Sequence, residues 1–172
     1  MNDLITAVVI VGASVSSGFS GKPSGEIVAE QLRVPYRNEA RACQALTDKN
    51  PAIPKNSLVV NLDGSYWDSY AKDCKKPVEA VKEFYMNALG SRVVVATVPN
   101  RNAGGFYRFF CGPQTAVQGC RVQINEAITK GCTGDCILLD AEEMYAGREK
   151  DDIHLSPEDW KRAADRIVEK IK

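Results

Sequence analysis

Two residues that can act together in nucleophilic catalysis stand near opposite ends of the chain. Ser14 follows an apolar run that ends at Gly12, and His154 is the single histidine. A serine hydroxyl becomes a nucleophile when an imidazole accepts its proton, and a carboxylate holds that imidazole in the required tautomer. Asp151, three residues before His154, can supply the carboxylate within one turn, and Asp152 is the competing choice. Taken separately, Ser14 also suits an ordinary turn, and His154 also suits a surface or capping role.

The rest of the chain predicts a parallel sheet that would position these residues. Apolar runs rich in Val and Ile alternate with amphipathic segments, which is the pattern of a parallel sheet covered by helices on both faces. The predicted strands are residues 6–12, 34–38, 57–62, 92–98 and 137–140. The predicted helices are residues 25–32, 41–46, 77–89 and 117–130, with a last helix from near Leu155 to the C-terminus.

The last helix has the most specific start signal. Ser156, Pro157 and Asp159 fit the N-cap, first-turn proline and capping-box acid positions. From Trp160 onward, apolar residues repeat at the spacing of one buried helix face. The sequence therefore predicts that His154 lies at the start of a firmly packed element.

Both ends of the chain resemble signature blocks of the SGNH or GDSL-type hydrolases. Gly12-Ala13-Ser14 is similar to the Gly-Asp-Ser that ends the family's first strand, with alanine where aspartate is usual. Residues 151–154 resemble the family's Asp-x-x-His before the final helix. The resemblance implies a three-layer α/β/α flavodoxin-like fold with a five-stranded parallel sheet, over a single domain of residues 1–172. It assigns Ser14 as nucleophile, His154 as base and Asp151 as the orienting acid.

Two further blocks match the family in part and concern the oxyanion hole. Residues 38–43 are similar to Asn-x-Ala-x-x-Gly, which puts Cys43 where a glycine donates its backbone N–H. Residues 64–68 are similar to Gly-x-Asn-Asp but lack the asparagine, a kind of donor whose removal slows other serine hydrolases about 10²–10³-fold. The resemblance implies the N–H groups of Ser14 and Cys43 as donors. The Tyr66 hydroxyl is a candidate replacement for the asparagine, and packing beneath the site is its alternative role.

A long irregular stretch, residues 99–116, supplies the candidate substrate-binding residues. It follows a predicted strand directly, so we expect it at the carboxyl edge of the sheet, where open α/β sheets bind ligands. Asn100, Arg101, Phe106 and Tyr107 are the candidates within it, because aromatic faces give apolar contact area and arginine can recognise a carboxylate or phosphate. The alternative is that the aromatic residues shield the sheet edge.

Composition narrows the classes of partner. The 172 residues include 22 Lys or Arg and 22 Asp or Glu, and this zero formal charge argues against nucleic acid or an anionic membrane as the main partner. The apolar runs fall far short of the roughly 20 residues that span a bilayer.

The chain has no G-x-G-x-x-G motif, and Gly21-Lys22 is followed by Pro23 instead of the P-loop Ser or Thr. We therefore predict no cofactor, which disfavours a flavodoxin-like electron carrier, and the oligomeric state stays open.

Six cysteines, an even number, predict a disulfide framework and an oxidising compartment. No C-x2-C pair is present, so no metal site is predicted. We expect a periplasmic or secreted location, although Met-Asn-Asp runs directly into the first strand without a signal-peptide pattern. Proximity in sequence favours two local pairs and leaves a third, so the predicted bridges are Cys111–Cys120, Cys132–Cys136 and Cys43–Cys74.

These features together predict a serine esterase that forms an acyl-enzyme on a carboxylic ester. Its substrate would be a small molecule or saccharide ester with a short acyl, lipid or O-acetylated carbohydrate part. Two alternatives stay open. One is an acyltransferase, in which a sugar hydroxyl replaces water as acceptor. The other is a catalytically weak glycan- or lipid-binding module on the same scaffold, since a fold does not fix a function.

Overall fold

Five short strands form one parallel sheet in the computed structural model of the chain, which describes residues 4–18, 21–144 and 154–172. All neighbouring strands are parallel, and their spatial order is β2-β1-β3-β4-β5. The five predicted strands are confirmed, with ends that differ by at most two residues. The strands are β1 (Ala7–Val11), β2 (Tyr36–Asn38), β3 (Ser57–Asn61), β4 (Arg92–Ala96) and β5 (Ile137–Leu139).

Seven α-helices and one 3₁₀ turn lie between and after these strands in the described ranges. The short helices α1, α4 and α6 all follow strand ends, whereas α2, α3, α5 and α7 cover the sheet. The helices are α1 (Ser14–Ser17), α2 (Ser24–Leu32), α3 (Lys75–Asn87), α4 (Gly105–Cys111), α5 (Arg121–Gly131), α6 (Ala141–Met144) and α7 (Pro157–Ile171), with the 3₁₀ turn at Trp67–Tyr70.

Alternate residues of the central strands point into two separate apolar clusters. Val8 and Ile10 of β1 pack in one cluster with α2 and α7, whereas Val9 and Val11 pack in the other with α3 and α5. This follows from the two-residue side-chain period of a strand. Because both faces are covered, the central strands are continuous apolar runs. The predicted three-layer α/β/α fold is confirmed.

The start of α7 has the predicted cap. The Ser156 side chain accepts a hydrogen bond from the Asp159 N–H at 3.2 Å, and Pro157 occupies the first turn. Leu155 and Trp160, on either side of this cap, are completely buried. The residue before them, His154, is therefore attached to a well-packed element.

Two predictions about local structure were wrong. Residues 41–46, expected as a helix, form turns, because Cys43 has a φ of 61° and the Leu46 N–H donates to the Gly64 carbonyl instead of to its own segment. Residues 99–116, expected to be irregular, contain α4, which ends at Gly112 in the left-handed conformation.

Two of the three predicted disulfides were also wrong. The structure contains the predicted Cys132–Cys136 bridge, but Cys111–Cys120 and Cys43–Cys74 are replaced by Cys43–Cys111 and Cys74–Cys120. Cys74 and Cys120 each stand immediately before a helix, α3 and α5, and these two helices lie side by side on one face of the sheet. Proximity in the fold therefore overrode proximity in sequence.

Candidate active site

Ser14 stands at the carboxyl end of β1, where the chain turns from strand to helix. Gly12 makes the turn with a φ of 122°, a backbone conformation that favours glycine. Ser14 then begins α1 and is 8% exposed. The turn predicted from the sequence therefore places this serine at the edge of the sheet where open α/β folds bind ligands.

The carboxylate of Asp63 holds this turn. Its two oxygens accept hydrogen bonds from the Ala13 N–H at 2.8 Å and from the Val15 N–H at 2.7 Å. Sequence analysis missed Asp63. Its position follows from the strand register, because Val11 pairs with Asn61 across β1 and β3, and Ala13 and Asp63 each follow those residues by two positions.

His154 is 1% exposed and lies two residues before the N-cap of α7. Its ring meets the edge of the Tyr107 ring, with 5.1 Å between centroids and 69° between planes. The next residue, Leu155, belongs to the same buried cluster as Val15, which follows Ser14. Hydrogen bonding between the Ser14 hydroxyl and the imidazole stays a prediction, and Asp151 and Asp152 lie outside the described residues.

Cys43 lies in a loop that runs beside the Ser14 turn. The Glu39 N–H donates to the Ile10 carbonyl at 2.8 Å, and the Arg41 N–H donates to the Gly12 carbonyl at 3.1 Å. The positive φ of Cys43 is the conformation that glycine adopts most readily, and glycine is the residue that the SGNH block has at this position. The backbone geometry expected of a glycine is thus kept by a cysteine whose side chain is bonded to Cys111.

Tyr66 is buried beneath the loop after β4. Its hydroxyl donates to the Arg101 carbonyl at 2.8 Å, and its ring packs edge-on against Trp67 and Tyr70. The Tyr66 hydroxyl also lies 3.3 Å from the Tyr70 hydroxyl. These contacts suit the packing role, and the role of Tyr66 as an oxyanion donor stays a prediction.

The backbones of Asn100 and Arg101 connect this loop to its surroundings. Asn100 is exposed, and its N–H donates to the Glu142 carboxylate. Arg101 is half-buried, and its carbonyl is the acceptor for Tyr66. Both residues follow β4 at the carboxyl edge of the sheet, as expected, and contact between their side chains and a substrate stays a prediction.

An unbroken series of aromatic rings leads from the surface of α4 to His154. Phe106, Phe109 and Phe110 are 68%, 85% and 65% exposed, so they shield little of the sheet. Neighbouring centroids are 5.7 Å apart for Phe109 and Phe110, 4.7 Å for Phe110 and Phe106, and 5.5 Å for Phe106 and Tyr107. Tyr107 completes the series against His154. We call Phe106, Phe109 and Phe110 the α4 aromatic face.

A buried carboxylate holds the far end of the Cys43 loop. Asp68 is 3% exposed and accepts hydrogen bonds from the N–H groups of Leu46 and Thr47 and from the Thr47 hydroxyl. Burial raises the pKa of Asp68, and the hydrogen bonds from Thr47 and Leu46 oppose that rise in part. These hydrogen bonds join the Cys43 loop to the 3₁₀ turn at Trp67–Tyr70.

Other possible ligand sites lie away from these residues. An open cleft of about 1000 Å³ runs along β5, lined by Leu138, Glu142 and Arg166 among others, without Ser14 or His154. Over residues 4–18, 21–144 and 154–172, no group of three or more His, Cys, Asp or Glu side chains could hold a metal ion. In the same ranges, no helix has the length and apolar character needed to cross a membrane.

Comparisons with known proteins agree with this geometry at the level of the fold. No family model and no curated protein matches the chain. Solved structures do match: a protein from Slackia heliotrinireducens assigned to the SGNH hydrolases has 18% identity and a TM-score of 0.65, covering 98% of this chain and 100% of that one. An aryl esterase of M. smegmatis has 11% identity and a TM-score of 0.66, and the match covers 96% of this chain and 98% of the esterase. The acetylxylan esterase Axe2 of Geobacillus stearothermophilus has 12% identity and a TM-score of 0.62, and the match covers 99% of this chain and 96% of Axe2.

The chain therefore has the SGNH-hydrolase fold. At the level of the fold, the resemblance to SGNH/GDSL-type hydrolases found in the sequence is confirmed.

Proposed function

We propose that this chain is a serine esterase that hydrolyses a carboxylic ester through Ser14, His154 and Asp151. The observation that carries the proposal is the placement of a buried serine, in a braced strand-to-helix turn, and a buried histidine, at the start of α7. Residues next to each of them share one apolar cluster. The SGNH-hydrolase fold and the esterases among its structural neighbours support a hydrolase.

The proposed reaction has two steps. The Ser14 hydroxyl attacks the ester carbonyl carbon while His154 accepts its proton, and the leaving alcohol then takes that proton from the imidazolium. Water, activated by the same imidazole, hydrolyses the acyl-enzyme and restores the free serine. Asp151 orients His154 and stabilises its positive charge, and the N–H groups of Ser14 and Cys43 stabilise the oxyanion.

The α4 aromatic face and Tyr107 supply the proposed substrate contacts. Exposed aromatic faces beside a catalytic group suit an ester whose acyl or alcohol part carries an apolar surface or a sugar ring. Asn100 and Arg101 follow β4 at the same edge of the sheet and are proposed to contact the polar part of the substrate. The proposed substrate is a carboxylic ester with a short acyl, lipid or O-acetylated carbohydrate part.

One observation favours a second candidate, a catalytically weak binding module on the same scaffold. The asparagine donor of the family is absent, and the proton of its candidate replacement, Tyr66, is bonded to Arg101. A site with two oxyanion donors in place of three is expected to react more slowly by about 10²–10³-fold. Binding of a glycan or lipid without turnover would identify such a module.

Hydrolysis of nitrophenyl acetate by the purified protein tests the proposal. We expect turnover by the wild type and none above background for Ser14→Ala and for His154→Ala. Ser91→Ala is the matched control, because Ser91 immediately precedes β4 at the opposite edge of the sheet. Activity that survives in either site variant would refute the scheme, and added saccharide acceptors would reveal acyl transfer as a second product.

We also propose that the protein works in an oxidising compartment, either in the periplasm or secreted. Three disulfides are compatible with that location. Titration of thiols on the denatured, unreduced protein from its native source should find none. Six free thiols would contradict the proposed oxidising compartment.

A further inference from the structure

A single carboxylate is bonded on both sides of the proposed nucleophile. Asp63 accepts from the N–H of Ala13 with one oxygen and from the N–H of Val15 with the other, at 2.8 and 2.7 Å. These two peptide groups flank the peptide of Ser14. The backbone of the serine is therefore bracketed by the two oxygens of one carboxylate.

The fold explains how Asp63 reaches this position. β1 and β3 are parallel neighbours, with Val11 opposite Asn61 at their last paired residues. Both segments leave the sheet at its carboxyl edge, and two residues later Asp63 lies beside Ala13. Ala13 is the N-cap of α1 and has no side chain that can cap, so its own N–H and the Val15 N–H of the first turn donate to Asp63 in the segment after β3.

Hydrogen bonds from N–H groups to a charged carboxylate are shorter and stronger than neutral ones. Two such bonds, on two oxygens, fix both the position and the orientation of the turn. A nucleophile displaced by about 1 Å can lose about 10²-fold in rate, so the turn that carries it has to be held closely.

We propose that Asp63 is a positioning residue for Ser14, an inference that rests on the proposed esterase function. Asp63 does not touch the substrate. It keeps the Ser14 hydroxyl and N–H in the geometry that attack and oxyanion binding require.

The test compares Asp63→Asn and Asp63→Ala with the wild type. In Asp63→Asn an NH₂ group replaces one carboxylate oxygen. This NH₂ group cannot accept from the N–H of Ala13 or Val15, so one of the two hydrogen bonds is lost while the side chain keeps its size. We expect kcat for nitrophenyl acetate to fall by about 10- to 100-fold with KM changed less than about twofold, and about the same or a larger fall for Asp63→Ala. Both variants should be assayed well below their melting temperatures.

Asp73→Asn is the matched control, since the Asp73 carboxylate accepts from the Lys75 N–H at the start of α3. We expect this variant to keep the wild-type kcat. A kcat for Asp63→Asn equal to that of the wild type, or a loss of the same size in Asp73→Asn, would overturn the inference. Amide hydrogen exchange on the wild type tests the inference without any variant. Slow exchange of the Ala13 and Val15 N–H groups is expected, and fast exchange of these groups also overturns the inference.

The same measurements separate this inference from the function on which it rests. An active wild type with an unaffected Asp63→Asn refutes only the role of Asp63. A wild type that neither hydrolyses esters nor reacts with fluorophosphonate refutes the esterase proposal, and the catalytic role of Asp63 with it.

Discussion

Cys43, in the loop after β2, is covalently joined to Cys111, the last residue of α4. The loop carries a proposed oxyanion donor, and the helix carries Tyr107, whose ring contacts His154. One bond thus couples two sides of the candidate site that are 68 residues apart in the chain.

Removal of this bridge should impair catalysis as well as stability. In the Cys43→Ala/Cys111→Ala double variant, we expect a lower kcat, because the proposed Cys43 donor and α4 are no longer tied together. Chain-entropy estimates give a stability loss of about 4 kcal/mol for a loop of this length. Ester hydrolysis at low temperature and urea denaturation measure the two effects.

The Cys132–Cys136 bridge is the control for that prediction, because it closes a loop of only 4 residues at the start of β5. Its double alanine variant should lose about 2 kcal/mol or less and keep the wild-type kcat. Equal losses of kcat in the two double variants would show that the Cys43–Cys111 bridge has no special relation to the site.

The α4 aromatic face should contribute to substrate affinity with little effect on stability. Phe106→Ser removes a side chain that is 68% exposed, so we expect an almost unchanged melting temperature. If a substrate buries part of this ring, loss of about 1 kcal/mol of apolar contact raises KM for an aryl ester about fivefold.

Met86→Ser is the matched control for the aromatic face. Met86 is 69% exposed on α3, and its replacement should leave KM unchanged. An unaltered KM in Phe106→Ser with every ester tested would remove Phe106 from the proposed substrate contacts.

Asp68 should contribute more to the free energy of unfolding at low pH than at neutral pH. Burial raises its pKa above the ordinary 3.8, so ionisation is disfavoured in the folded state. Its contribution is fully present below 3.8 and is lost as the pH rises through the folded-state pKa. The unfolding free energy of the wild type minus that of Asp68→Asn should therefore decrease from pH 3 to pH 7.

Urea denaturation of both proteins at several pH values measures this difference, and the other titrating groups cancel in the subtraction. Carboxyl NMR of Asp68 should show a midpoint above 3.8. A difference that increases with pH would contradict the assigned direction of the pKa shift.

The strands and α7 could be predicted from the sequence because their signals are local. A strand covered on both faces is a run of β-branched residues, as in Val8–Val11, and α7 begins with a serine cap and a proline. In contrast, α4 buries none of its residues and consists largely of aromatic residues, so it has no apolar period to recognise.

The parts of the site that were missed depend on contacts between distant segments. The Cys43–Cys111 and Cys74–Cys120 bridges span 68 and 46 residues, and no local pattern specifies them. Asp63 acquires its role only because β3 lies next to β1. Ser14 and His154 could be proposed because their residue types and order match a known pattern.

The central claim is that the imidazole of His154 activates the hydroxyl of Ser14. Reaction of the native protein with a fluorophosphonate probe, followed by peptide mass spectrometry, tests it most directly. We predict one phosphonyl group per chain, located on Ser14, and a labelling rate that falls by about 10²-fold or more in His154→Ala. A label on another residue, or a rate that is unaffected by the loss of His154, would contradict the account.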